Sequence, residues 1–278
     1  MEESDPGRHN GALDRDAAMI FDLTKGRGRR MIVPLLLAPV LFLASCRSVP
    51  QAPLASAMKT PHRILFVGNS FTYYNGGLEN HFRQLAESAL PPRILIADRA
   101  TKGGTTLEIL QGQEAVHAKI RDGHYDLVVL QEDIPELKEH KVTPFLEQVR
   151  LFDREIRDAG GRTALFMAWP YERLNWVGLE TIAEAHRAIG KELTLPVGPV
   201  GLAFQRSLQA RPGLAMLGKD REHESIHGTY LAANVIYATL FAADPTGLTY
   251  RPQGVSSDEA AFLQGVAWSV VKEWQKHR

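Results

Sequence analysis

Ser70 stands in the string Gly68-Asn69-Ser70-Phe71-Thr72, directly after an apolar, β-branched run at 64–68 (ILFVG). A serine just past the carboxyl end of a strand, where a helix begins, is placed as a nucleophile is placed. Glycine before it allows close backbone approach, and amides at a helix start can donate to a developing oxyanion. The same string also reads as a plain helix N-cap. A serine hydroxyl is a weak nucleophile at neutral pH, so it needs a base to take its proton and an acid to orient that base. Asp220-Arg221-Glu222-His223 supplies both from one loop, although alone it also reads as a solvated turn before a helix. The next residues spell a rival: His223-Glu224-Ser225-Ile226-His227 is H-E-x-x-H, in which two histidines one helical turn apart bind zinc and the glutamate activates water. Polar loop formers (GKDRE) precede that motif, Gly228 follows it, and the helical apolar run starts only afterwards. Zinc would also need a third ligand, for which Asp244 and Glu259 are the candidates.

Such side chains need a scaffold, and the chain from Arg63 onward alternates short apolar runs with longer helical stretches. The runs at 64–68, 93–97 (RILIA), 126–131 (DLVVLQ) and 162–169 (RTALFMAW) read as buried parallel strands. Helical spacing marks 78–90, 105–123 and 142–161, the last ending in a glycine pair suited to a C-cap. Further on come a helix near 179–190, a Pro- and Gly-punctuated segment at 196–208, and helices at 225–242 and 257–276. Strand-then-helix repetition predicts a doubly wound α/β sheet with ligands at the carboxyl ends of its strands. By that rule Trp169 and Tyr171, beyond the fourth strand, and Asn69 are candidate pocket residues. His81, His117 and His186 fall on amphipathic helices and read as surface or packing residues. Glu132 and Asp133 are adjacent in sequence and so are not the opposed pair that a glycosidase requires.

The chain has no Gly-x-Ser-x-Gly elbow, since Thr72 stands where the second glycine would be. In block order it resembles the SGNH (GDSL-like) hydrolases. Gly68-Asn69-Ser70-Phe71 is similar to a variant of that family's first block, Lys102-Gly103-Gly104-Thr105-Thr106-Leu107 to its second, and Asp220-x-x-His223 to its fifth. The third block's asparagine is replaced by Gln131 at the end of Val129-Leu130-Gln131. The resemblance implies a flavodoxin-like three-layer α/β/α sandwich, no cofactor and no metal. It also implies ester hydrolysis through an acyl-serine, with Ser70, Asp220 and His223 catalytic. The amides of Ser70 and Gly103 or Gly104, together with the Gln131 side chain, would form the oxyanion hole. By family analogy the substrate is a small-molecule or carbohydrate ester, with carbohydrate O-acetyl groups the leading choice. A zinc hydrolase and a non-catalytic glycan-binding lipoprotein are the alternatives.

The bulk numbers fit. The 32 basic and 32 acidic side chains cancel, which argues against a nucleic-acid partner. A single cysteine excludes an internal disulfide. Its position is informative: Lys25, Arg27, Arg29 and Arg30 precede an uncharged run at 31–44, which ends in Leu43-Ala44-Ser45-Cys46. That outline is a signal peptide, too short to span a bilayer as a permanent helix, and its end resembles a bacterial lipobox with Cys46 as the lipidated residue. The expected organisation is a removed leader at 1–45, a Pro-containing tether at 46–61 and a catalytic domain at 62–278, held to a bilayer in the bacterial cell envelope.

Overall fold

The computed structural model describes residues 60–277. The leader, Cys46 and nearly all of the tether lie outside the described residues. Among these residues the strands are β1 (Arg63–Gly68), β2 (Ile96–Thr101), β3 (Leu127–Glu132), β4 (Arg162–Met167) and β5 (Val197–Gly198). The helices are α1 (Ser70–Tyr73), α2 (Leu78–Glu87), α3 (Leu107–Gln111), α4 (Glu114–Asp122), α5 (Thr143–Asp158), α6 (Leu179–Leu193), α7 (Val200–Ala210), α8 (Ile226–Phe241) and α9 (Ser257–Lys276). All strand pairs are parallel, in the order β2-β1-β3-β4-β5.

Strand periodicity of two divides the core. On β1, Ile64 and Phe66 face a cluster built with α2, α7, α8 and α9, while Leu65 and Val67 face α3 to α6. Helix α8 is apolar on all sides and is correspondingly buried from Gly228 to Leu240. Helix α9 starts at a capping box, with the Ser256 side chain on the Glu259 amide and the Glu259 carboxylate on the Ser256 amide. The result is the three-layer α/β/α sandwich expected from the sequence.

The structure departs from the pattern-based expectation in three places: the Pro- and Gly-punctuated segment at 196–208 holds β5 and α7, and two further elements differ. The helical stretch at 105–123 is two helices, α3 and α4, parted at Gly112 and Gln113. The second strand is Ile96–Thr101, further on than the apolar run at 93–97. It is an edge strand paired only with β1, and its residues are half-buried or exposed, so it lacks the continuous apolar signature of a strand covered on both faces. Register places Gly68 beside Thr101 and Leu130 beside Leu165, so the chain leaves β1 to β4 at one end of the sheet. The residues of the predicted serine site lie at that end or on the loop before α8.

Candidate active site

Ser70 is the first residue of α1 and is buried except for a small opening. Its hydroxyl lies 2.8 Å from Nε2 of His223, 153 residues away in sequence. On the other side of the ring, Nδ1 lies 2.8 Å from Oδ2 of Asp220. The remaining carboxylate oxygen, Oδ1, accepts from the amides of Glu222 and His223, each at 3.1 Å. Partial withdrawal from water opposes ionisation of Asp220, but the bond from the His223 ring and those two amides outweigh it and hold the carboxyl below its usual range. The amide bonds also stabilise a turn in which Arg221 takes the left-handed conformation, with φ +58°.

This loop is clamped from several directions. Gly218 donates to the His223 carbonyl (2.7 Å), and Trp169 donates from Nε1 to the Glu222 carbonyl (3.0 Å). Arg173 grips the Glu222 carboxylate with Nε (2.7 Å) and Nη2 (2.8 Å) and also pairs with Glu136, while Arg221 pairs with Glu172. The His223 ring stacks on Tyr74, with centroids 4.3 Å apart at 13°, and meets the edge of Phe71. Asn75 donates from Nδ2 to the Glu224 carbonyl (2.9 Å) and to Thr229 (2.8 Å), which ties the turn after α1 to the start of α8. The sequence reading overlooked Tyr74, Asn75 and Arg173. The turn-forming string Tyr74-Asn75-Gly76-Gly77 was the available signal for the first two.

Three consecutive residues at the end of β3 each hold a different part of the site. Gln131 Oε1 accepts from the Asn69 amide (2.8 Å) and the Thr72 hydroxyl (3.2 Å); the backbone donor fixes which end of the side-chain amide is oxygen. A Cβ on Gly68 would come within 2.4 Å of that same oxygen, so glycine there is what lets Gln131 pass beneath the serine turn. Glu132 accepts from the Leu107 amide with both carboxylate oxygens (3.2 Å each) and from the Asp133 amide (2.8 Å). Asp133 accepts from Asn69 Nδ2 (2.8 Å) and from the Tyr171 hydroxyl (3.0 Å).

Four sequence-based assignments therefore change. Gln131 supports the Ser70 turn with its oxygen; its NH2 is shut off from solvent and has no partner among the described residues, so it does not front a substrate. Asn69 is buried, with its oxygen capping Phe71 (3.0 Å) and its NH2 on Asp133, so its polar atoms are engaged within the protein. Tyr171 is buried against Asp133. Trp169 is sandwiched between Phe71 (4.7 Å) and Phe204 (4.1 Å). It borders a cavity of about 330 Å³ with Leu179, Leu208 and Leu217, which neither Ser70 nor His223 lines. Gly103 and Gly104 are exposed at the end of β2, and neither amide donates to another described residue. Gly103 lies against α1, since a Cβ there would come within 2.6 Å of the Tyr73 hydroxyl; Gly104 has φ +58°.

The H-E-x-x-H reading does not fit this geometry. Helix α8 begins only at Ile226, so the two histidines do not share a helical turn, and both nitrogens of His223 are engaged. His227 lies 3.4 Å from Glu259, whose carboxylate caps α9, and Asp244 caps the Thr246 turn at 2.9 Å. Glu224 is buried beneath the loop, and burial raises its pKa well above the usual carboxylate range. The three histidines on predicted amphipathic helices serve packing: His81 bridges Tyr250 and the Asn75 carbonyl, His117 pairs with Glu155, and His186 is buried against Phe145.

The buried acids of β3 should mark the stability profile. Burial raises Glu132 to about 8 and Asp133 to about 7, against an ordinary carboxylate value of about 4. The folded chain then binds more protons than the unfolded chain in this window, so the stability these groups contribute is present at low pH and is lost as pH rises through their folded values. Each accounts for on the order of 1 kcal/mol per pH unit. Glu132→Gln keeps an oxygen for the Leu107 and Asp133 amides, so its melting temperature should fall less than that of the wild type between about pH 6 and 8. Parallel declines would show that Glu132 is ionised throughout.

No family model matches the chain, and no curated protein sequence matches it. Solved structures do. A DUF4886 family protein from Bacteroides uniformis aligns with a TM-score of 0.60 at 17% identity, over 76% of this chain and 95% of its own. Axe2, an acetylxylan esterase from Geobacillus stearothermophilus, aligns at 0.53 and 17% identity, over 66% and 96%. A lipase/acylhydrolase from Enterococcus faecalis aligns at 0.54 and 18% identity, over 65% and 96%. With its five parallel strands, its helices on both faces and these neighbours, the described domain has the SGNH hydrolase fold.

Proposed function

We propose that the domain is a serine-dependent carboxylester hydrolase. The continuous path from Ser70 Oγ through His223 to Asp220, 2.8 Å at each step, is the observation that carries this reading. His223 Nε2 takes the hydroxyl proton as Ser70 attacks the ester carbonyl carbon, and Asp220 holds the imidazole in the tautomer with its proton on Nδ1. The resulting oxyanion is met by the amides of Ser70 and Gly103 or Gly104, which donate to no other group among the described residues. Collapse expels the alcohol with the proton from His223. Water, deprotonated by the same ring, then attacks the acyl-serine and releases the acid. Carbohydrate O-acetyl esters are the substrate class we favour, on the fold shared with a protein named as an acetylxylan esterase. We further propose, from the basic block at 25–30, the uncharged run at 31–44 and the string Leu43-Ala44-Ser45-Cys46, that lipid on Cys46 holds the protein in the bacterial cell envelope.

Intact mass after incubation with a fluorophosphonate tests the chemistry. One adduct in the wild type and none in Ser70→Ala is the expected result. No adduct together with stoichiometric zinc would transfer His223 and His227 to a metal site. No adduct and no zinc would leave a glycan-binding role.

A further inference from the structure

The three most exposed large apolar side chains among the described residues are Leu90 (95%), Ile94 (70%) and Ile96 (47%), and they are neighbours on one segment. Pro91 and Pro92 between them are exposed as well. Leu95 and Ala89 point inward, and Arg93 is fixed over Phe241 (4.7 Å) with a bond to the Tyr237 hydroxyl (3.3 Å), so the segment is a tip braced against α8. Apolar clusters of this kind, rimmed by a cation, mark contact surfaces.

The tip lies beside the point where the chain enters the domain. Ile96 donates to the His62 carbonyl at 2.8 Å and pairs in register with Arg63, the first residue of β1. Only the 15 residues 47–61 separate that entry, at His62, from Cys46. A chain of that length spans about 20 Å on average as a random coil and about 50 Å at most. The serine loop and Gly103 leave the opposite ends of β1 and β2, about 17 Å of strand away.

We propose that residues 90–96 form a membrane-contacting tip, seated on the bilayer to which Cys46 is attached, that turns the catalytic end of the sheet away from lipid. The tether holds the domain near the surface and the tip sets its orientation. The esters that reach Ser70 are then those presented from the aqueous side, on soluble or polymeric carriers, and not the acyl chains of bilayer phospholipids. The inference rests on the lipid-anchor reading and is independent of the serine chemistry.

The full chain, reconstituted in phosphatidylethanolamine/phosphatidylglycerol vesicles carrying a bromine-tailed phosphatidylcholine, provides the test. Cys46 is the lone cysteine, so the wild type takes no thiol-reactive fluorophore if its sulfur carries lipid. Ile94→Cys and Lys102→Cys each add one label, at opposite ends of β2. The expected result is an unlabelled wild type, a blue-shifted emission at 94 that the bromolipid quenches, and a water-like, unquenched emission at 102. A water-like label at 94, or quenching at 102, overturns the orientation while leaving the anchor standing. A label at 94 that is blue-shifted but unquenched means that a second copy covers the tip, which also overturns it. A labelled wild type removes the anchor and the proposal together. Fluorophosphonate labelling of the same samples reports separately on Ser70.

Discussion

Ser70→Ala should lower kcat for a small ester such as p-nitrophenyl acetate by on the order of 10⁵- to 10⁶-fold, with KM little changed. His223→Ala should cost nearly as much, and the double variant no more than either single one. The two side chains act on one proton, so once either is missing the other has no task, and their losses do not add. Residual hydrolysis above the water rate would come from the Ser70 and Gly103 or Gly104 amides, which neither change removes. The fold should be untouched. The Ser70 hydroxyl is described with a single partner, His223, whose side chain is 21% exposed and can turn to water when that partner is lost. Melting temperatures that shift by the equivalent of about 1 kcal/mol or less, beside a collapse in kcat, would mark a chemical role and not a structural one. A Ser70→Ala protein with activity near wild type would remove the nucleophile from the mechanism.

How much of this was legible beforehand depends on whether a residue's role is local or relayed. Ser70, Asp220 and His223 sit in strings whose chemistry is visible, and the strand-helix alternation predicts that the serine string will stand at a sheet end. The apolar runs on β1, β3 and β4 are strong signals because both faces of those strands are covered. β2 escaped correct placement because an edge strand needs no such run. Gln131 illustrates the harder case. Its position at a strand end was evident, but whether its oxygen or its nitrogen faced the site depended on the Asn69 amide, 62 residues away. Glu132 and Asp133 read only as adjacent acids unsuited to a glycosidase, and nothing in the string places them in the interior, because acids seldom enter a core. Here they are buried because three backbone or side-chain donors from other loops needed acceptors there. Trp169 and Tyr171 read as pocket walls, yet their polar atoms reach the Glu222 carbonyl and Asp133, so they brace the loops around Ser70 and His223 from behind. Contacts of that range have no signature in local sequence.

Asp220→Asn isolates the smallest chemical change with the next largest expected effect, a loss of on the order of 10⁴-fold in kcat. The asparagine oxygen can still accept from the amides of Glu222 and His223, so the turn that holds Arg221 at positive φ keeps its bonds. Only the group facing Nδ1 changes, from a carboxylate oxygen that accepts to an NH2 that donates. The ring nitrogen must then accept, which moves the imidazole proton to Nε2 and points it at Ser70, where a base is required. The same substitution removes the negative charge that stabilises the imidazolium formed during attack. Asp220→Ala leaves the tautomer free and should separate the two contributions by the difference between the variants. Because acylation by a fluorophosphonate uses the same proton transfer, its rate should fall in parallel with kcat, while the side chain's 47% exposure keeps the cost to folding small. An Asp220→Asn protein within about tenfold of wild type would show that His223 is oriented by something other than this carboxylate. The remaining groups around the ring, Tyr74 and Phe71, can hold its plane but cannot choose its tautomer, so that outcome would displace the acid and leave the base in place.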